Sequence, residues 1–382
     1  MRILIGADLV PTKSNADLFS NGEVKELIGP ELKNLLDSAD YRIFNLETPI
    51  TDTVSPISKC GPCLHAETKT IVGIKQLGTD FLTLANNHIY DQGEEGLLST
   101  IKVLNDTKIA FSGVGKTLSD AMKPYVAIVG DRKIGIFCCA EHEFSIAKDQ
   151  KSGANPYDPL ESFDTVKELR KKCDFLIVLY HGGKEYCRYP SYEVRRMSHK
   201  FVDCGADIIL CQHTHCIGCA ETYKDKRIIY GQGNFLFDNS QREEWQTSLL
   251  VECDLEDTSF NVAFHPLRKC GNTVRLAEGT DYDAIIGDFY KRSNELLDDK
   301  IWKERYREFA VKSYQQMFSR VSGLNERSFF NRICSRLFGE KYVTNKLKKI
   351  YSRNKLLVLR NTVESESWRE LLLESIDSEL TD

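Results

Sequence analysis

The 382 residues are 41% hydrophobic and 28% charged with a formal net charge of -5, a balance that excludes a disordered chain and a strongly basic nucleic-acid binder. Such a length buries a large core, as one big domain with an appendage or as two domains. The longest apolar runs, such as Phe175 to Tyr180, fall far short of the roughly 20 residues needed to span a bilayer, so no transmembrane segment is expected.

Met1-Arg2 leads directly into Ile3-Leu4-Ile5-Gly6-Ala7-Asp8, which reads as a first strand rather than an export signal and predicts a cytoplasmic location. In that compartment the 13 cysteines are expected as reduced thiols, several packed as small hydrophobes. Cys60-Gly61-Pro62-Cys63 and Cys216-Ile217-Gly218-Cys219 have the spacing of zinc or redox pairs, but they lie much farther apart than the halves of a zinc ribbon.

Short β-type runs predict strands at Arg2-Ile5, Tyr41-Phe44, Phe81-Leu84, Tyr125-Val129, Ile134-Cys138, Phe175-Leu179, Asp207-Cys211 and Ile228-Tyr230, with a late hairpin from Ser248-Asp254 and Phe260-Phe264. Helical spacing fits Val24-Leu36, Glu94-Leu104, Ser162-Lys171 and Tyr192-Val202. The alternation is that of an α/β fold, whose ligands gather where strands end. Strand ends here carry Asp8, Glu47, Asn87-His88, His181 and His213-Thr214-His215. These oxygen and imidazole donors, with no thiolate, suit divalent Mn, Zn or Fe. His142, in Cys138-Cys139-Ala140-Glu141-His142-Glu143, is a further residue placed to reach the edge of the site.

The ordered set Asp8, Asn45-Leu46-Glu47-Thr48-Pro49, Ala85-Asn86-Asn87-His88 with Asp91 and Gly93, His181-Gly182-Gly183-Lys184-Glu185-Tyr186 with Pro190, His213-Thr214-His215 and Gly231-Gln232-Gly233-Asn234-Phe235 closely resembles the CapA/PgsA family of capsule and poly-γ-glutamate biosynthesis proteins. That family belongs to the calcineurin-like metallophosphoesterase superfamily. The resemblance implies a four-layer α/β-β/α sandwich over residues 1–272 and one or two divalent metal ions. Glu47 would bridge them, Asn87, His181 and His213 would complete one shell, and Asp8 and His215 would serve the other. His88 would act outside the shells as the catalytic proton donor or anion stabiliser. Asp91, Lys184, Glu185, Tyr186, Arg188, Glu221 and Asn234 are the expected substrate contacts. The superfamily's usual Asp-x-His after the first strand reads here Asp8-Leu9-Val10, and valine cannot ligate a metal. The implied function is a metal-dependent hydrolase acting on an anionic polymer or phosphoester, with a non-catalytic assembly factor of a capsule synthesis complex as the alternative.

Beyond a break near Asn272 to Asp281 the strand signals stop, and residues 281–382 are expected to form a helical extension. Between Arg320 and Arg360 eleven Lys or Arg face two Glu, whereas Thr362 to Asp382 is acidic. The basic stretch, interleaved with Phe and Leu, suggests either a solvated helical face or a peripheral contact with an anionic membrane or polymer.

Overall fold

The computed structural model describes residues 1–238, 240–257, 259–322 and 344–381. Its strands in chain order are β1 (Arg2–Val10), β2 (Tyr41–Leu46), β3 (Phe81–Thr83), β4 (Ala110–Ser112), β5 (Val114–Gly115), β6 (Tyr125–Val129), β7 (Arg132–Ala140), β8 (Gly153–Ala154), β9 (Phe175–His181), β10 (Ile208–Gln212), β11 (Ala220–Tyr223), β12 (Lys226–Tyr230), β13 (Asn234–Phe237), β14 (Thr247–Leu255), β15 (Phe260–Cys270) and β16 (Thr273–Leu276). Every strand expected from the sequence forms, most of them longer than the apolar run that signals it. One sheet has the order β16-β15-β14-β1-β2-β3-β4, with β13 also paired to β1, and a second has the order β11-β12-β10-β9-β7-β6.

The alternation along β9 and β10 shows how the layers stack. Ile177, Leu179, Ile208 and Leu210 share one core with Ile3, Ile5 and Ile43 of the first sheet. Their neighbours Leu176, Val178, Ile209 and Cys211 share another with Val166, Leu169, Met197 and Phe201 from the helices Ser162–Arg170 and Tyr192–Asp203. Side chains of opposite parity in a strand leave opposite faces, so the second sheet has the first sheet on one side and helices on the other. Two glutamine amides bond to β1: Gln212 Nε2, at the end of β10, donates to Gly6 O at 3.2 Å, and Gln232 Nε2, in the link from β12 to β13, to Ile5 O at 2.8 Å. The helices Val24–Asp37 and Gly93–Thr107 contribute Leu27, Leu32, Leu97 and Leu104 to the core of the first sheet, completing four layers.

The helix expected over Val24–Leu36 is broken inside. Gly29 adopts φ 76°, with Pro30 next to it, because a proline ring clashes with the preceding turn and is favoured at the start of a new one.

The chain divides into two compact units, Met1–Tyr306 and Arg307–Asp382. The first takes in the helix Gly279–Leu297, which covers the edge strand β11. Ala220 N donates to Ser293 Oγ at 2.9 Å, and Arg292 Nε donates to Gly218 O at 2.9 Å. Trp302, 3% exposed, packs into the outer core and donates Nε1–H to Pro190 O at 2.9 Å. In the second unit the helices Arg353–Glu364 and Glu366–Thr381 expose Leu357, Val358, Trp368 and Leu372. Among the described residues no helix is long and apolar enough to cross a membrane. Residues 323–343, about half of the basic stretch, lie outside the described residues.

Trp302 fills a hole in the outer core and holds a backbone carbonyl at once, so Trp302→Ala is expected to lower the unfolding free energy by about 3–5 kcal/mol, measured by urea denaturation of the full chain. A loss below about 1 kcal/mol would show that Trp302 and its helix, Asp299–Lys312, are not integral to the fold.

Candidate metal centre

Asp8 reaches the site through a distortion of its strand. The register of β1 with β2 shifts between Ile5 and Asp8, and with β13 between Asp8 and Leu9. A Cβ on Gly6 would lie 2.4 Å from the Phe44 ring, so the close approach of strand and ring needs glycine. Irregularities of this kind re-aim a side chain next to a site, and here they accompany a fully buried Asp8 carboxylate. Its Oδ1 accepts from Asn45 Nδ2 at 2.8 Å, and Asn45 Oδ1 in turn accepts from Asn86 Nδ2 at 3.0 Å. Asn86 Nδ2 also donates to Leu46 O at 2.8 Å, which ties the ends of β2 and β3 together.

The remaining oxygens are the informative ones. Asp8 Oδ2 and both oxygens of Glu47 are buried and have no hydrogen-bond partner, a costly arrangement for carboxylates away from water. Ring nitrogens stand near them: His215 Nδ1 is 3.4 Å from Asp8 Oδ2, and His181 Nε2 is 3.3 Å from Glu47 Oε1. His181 Nε2 also lies 3.0 Å from Asn87 Oδ1 and 3.1 Å from His213 Nδ1. Four atoms bearing lone pairs therefore converge where one proton cannot satisfy them all.

The second sheet presents its imidazoles at a level set by register. His181, the last residue of β9, pairs with Gln212, the last residue of β10, so His213 and His215 emerge just beyond. Both hold left-handed backbone, φ 91° and 53°, a strained choice for residues with a side chain and one that collects at functional sites. Burial works against a charged His215, but Glu47, Asp8 and Asn234 outweigh it and hold its pKa up to about 9. Burial and the neighbouring His181 and His215 push His213 the other way, towards the neutral form that can ligate. Positive charge is thus favoured on His215, beside the two carboxylates, and disfavoured on His213.

Among the described residues, three groups of ionisable donors lie close enough together to share an ion: Glu47 with His181 and His213; Asp8 with Glu47 and His215; and Glu141 with Glu143 and His213. None contains a cysteine. The orphaned carboxylate oxygens and the oxygen and nitrogen donor set fit a divalent cation. Asp8, Glu47, Asn87, His181, His213 and His215, all expected from the sequence, are brought together.

The other expected residues divide. His88 is buried, its Nδ1 2.6 Å from Asp91 Oδ2. Asp91, expected to contact substrate, is fully buried and engaged by His88, Lys59 and the Leu64 N–H; with every contact internal, it supports His88 instead. Asn234 Oδ1 accepts from His215 Nδ1 at 2.8 Å and orients that ring. Arg188 is held by Glu243 and by Ile217 O. Lys184, Glu185 and Tyr186 are partly exposed on the loop after β9, with Arg242 stacked 4.4 Å from the Tyr186 ring.

Glu221 is a correction. Its carboxylate takes hydrogen bonds from Arg195, His199 and Tyr230, so it has no free oxygen to offer a substrate. It serves as the anchor between β11, β12 and the helix Tyr192–Asp203. His142 is exposed, while its neighbours Glu141 and Glu143 approach the cluster. Glu141 Oε1 lies 3.4 Å from His213 Nε2, and Asn87 Nδ2 donates to Glu143 Oε2 at 3.3 Å. The strand-end signal was present in the sequence, but it pointed to the histidine between the two carboxylates. Val10 packs against Phe237 and Trp245, and the Trp245 ring lies 4.6 Å from that of His215, so an apolar wall stands where the superfamily's ligand would be.

A family model described as bacterial capsule synthesis protein PGA_cap matches residues 8–239. Capsule biosynthesis protein CapA of Bacillus anthracis is 31% identical over 239 residues, 60% of this chain and 57% of its own length. PGA biosynthesis protein CapA of Bacillus subtilis (strain 168) is 29% identical over 210 residues, 53% of this chain and 54% of its own. The chain therefore spans little more than half the length of these relatives. Among solved structures, a novel phosphatase from Mycoplasma pneumoniae aligns with TM-score 0.45 and 17% identity, over 71% of this chain and 94% of that one.

Two measurements test the centre and its anchor. Adding Mn²⁺ or Zn²⁺ to the EDTA-treated chain is expected to raise its melting temperature, by the equivalent of about 2.7 kcal/mol at a hundred-fold excess over Kd. Glu47→Gln should abolish that rise in calorimetry. For Glu221, burial raises the carboxyl pKa, yet the bonds from His199, Arg195 and Tyr230 prevail and hold it at about 2 against an ordinary 4.5. Its stabilisation is then complete above about pH 4.5 and lost as pH falls through about 2. Glu221→Gln should flatten the decline of urea-denaturation stability across that window, and an unchanged slope would contradict the assignment.

Proposed function

Because the chain belongs to the bacterial capsule synthesis protein PGA_cap family, we propose that it is a metal-dependent hydrolase acting on an anionic polymer or phosphoester in capsule or poly-γ-glutamate metabolism. The observation that carries this reading is the buried pair Asp8 and Glu47, three of whose four carboxylate oxygens lack any hydrogen bond while imidazoles stand beside them.

Glu47, Asn87, His181 and His213 would hold one ion, and Asp8, Glu47 and His215 a second. Divalent cations in such a site make water a stronger acid and screen negative charge on a reacting group. The residues supply the rest. His88 stands outside the ligand set, with Asp91 on its Nδ1; its Nε2 would take up a proton and, as the imidazolium, pass it to or stabilise the reacting oxygen. Lys184, on the loop after His181, would attract a phosphate or carboxylate. The compact unit Arg307–Asp382 would serve as an extension to this domain, and the proposed partner is a capsule synthesis complex.

The wall of Val10, Phe237 and Trp245 beside His215 favours a second reading, in which the chain binds a polymer carboxylate or phosphate as an assembly factor without cutting it. Purified chain assayed with Mn²⁺ on phosphodiester, phosphomonoester and γ-glutamyl substrates separates the two. Hydrolysis of one of these, lost in His213→Ala, is the expected result. A chain that takes up no transition metal at the cluster would sink the hydrolase reading. Polymer assembly in cells unchanged by His88→Ala, yet lost on deleting the second unit, residues 307–382, would establish the assembly role.

A further inference from the structure

Lys59 lies in an irregular loop between β2 and the helix Ile71–Gln76, on no strand end and in none of the donor groups. Its side chain is nonetheless 3% exposed and forms an ion pair with the fully buried Asp91. The loop is fastened to the turn that carries Asp91. Ile57 N donates to Asp91 O at 3.0 Å, Ser55 N to Gln92 Oε1 at 2.7 Å, and Gln92 Nε2 to Leu64 O at 3.0 Å. A lysine held in this way is no incidental surface charge.

The contacts also fix which ring nitrogen of His88 carries hydrogen. Nδ1 lies 2.6 Å from Asp91 Oδ2 and 3.3 Å from Lys59 Nζ. An ammonium only donates and a carboxylate only accepts, so Nδ1 cannot serve both. The short contact goes to the carboxylate, so Nδ1 donates to Oδ2 while Lys59 gives its hydrogen to Oδ1. The Leu64 N–H completes the Asp91 shell, donating to Oδ2 at 2.6 Å. Nε2 is left as the bare nitrogen. A buried carboxylate remains a hydrogen-bond acceptor when a cation compensates it.

We propose that Lys59 is a positioning residue which, through Asp91, fixes His88 as the Nδ1–H tautomer with Nε2 as the working nitrogen. The consequence for catalysis rests on the role of His88 given above, but the tautomer does not, and it is read without metal or substrate. The test is the long-range ¹H–¹⁵N imidazole spectrum of the EDTA-treated full chain at alkaline pH, with Lys59→Gln and Lys59→Arg compared after their folding is checked by circular dichroism.

Unmutated chain should show His88 with Nδ1 protonated and Nε2 bare; an Nε2–H tautomer there overturns the proposal without any variant. Lys59→Gln should raise the Nε2–H population about ten-fold or more, and Lys59→Arg should restore the original signal. A folded Lys59→Gln chain with an unchanged His88 spectrum overturns it. If hydrolysis of bis(p-nitrophenyl) phosphate with Mn²⁺ is found, Lys59→Gln should lower kcat about 10- to 100-fold with little change in KM. Failure of that assay in unmutated chain counts against the hydrolase reading and leaves the spectral result to decide the role of Lys59.

Discussion

Negative charge enclosed away from water governs this molecule. Asp8 and Glu47 are fully buried, and only one of their four oxygens is satisfied by hydrogen bonding. A fold can retain such groups only by surrounding them with compensating charge. The irregular register around Asp8, the Asn45–Asn86 relay and the strained backbone of His213 and His215 all follow from bringing that compensation within reach. The dense packing of aliphatic side chains on both faces of the parallel strands provides the rigidity to hold it.

Much of this could be read from the sequence, for a physical reason. Parallel strands buried on both faces appear as continuous apolar runs, so their ends, and the polar residues just beyond, stand out. What escaped lacked that contrast. β4 is only Ala-Phe-Ser, β11 is the polar edge run Ala-Glu-Thr-Tyr, and β13 begins inside a Gly-Asn-Phe motif. Lys59 escaped because its partner Asp91 lies 32 residues further along the chain and the loop that carries Lys59 has no periodicity. Glu221 and Asp91 are expected as substrate contacts from the resemblance alone. Both instead have their oxygens filled by neighbours, something only the folded arrangement reveals.

The two shells are unequal. Around His213, carboxylates are in surplus, since Glu141 and Glu143 stand beyond Glu47. Around His215 the surroundings turn apolar, with Trp245, Phe237 and Val10 closing one side. An ion between Asp8, Glu47 and His215 would meet fewer donors and less water than its neighbour, so the two positions would differ in affinity and in exchange rate.

The donors are also divided by layer: Asp8, Glu47 and Asn87 come from the first sheet, and His181, His213 and His215 from the second. The gap that a cation would span is therefore set by the thickness of the aliphatic filling between the sheets, where Ile5, Ile43, Leu179 and Leu210 meet. Those side chains act as spacers of a calliper whose jaws are the strand ends. A methyl group gained or lost deep in the interior would change the opening at the tips, so ionic radius can be selected by residues that never touch the ion.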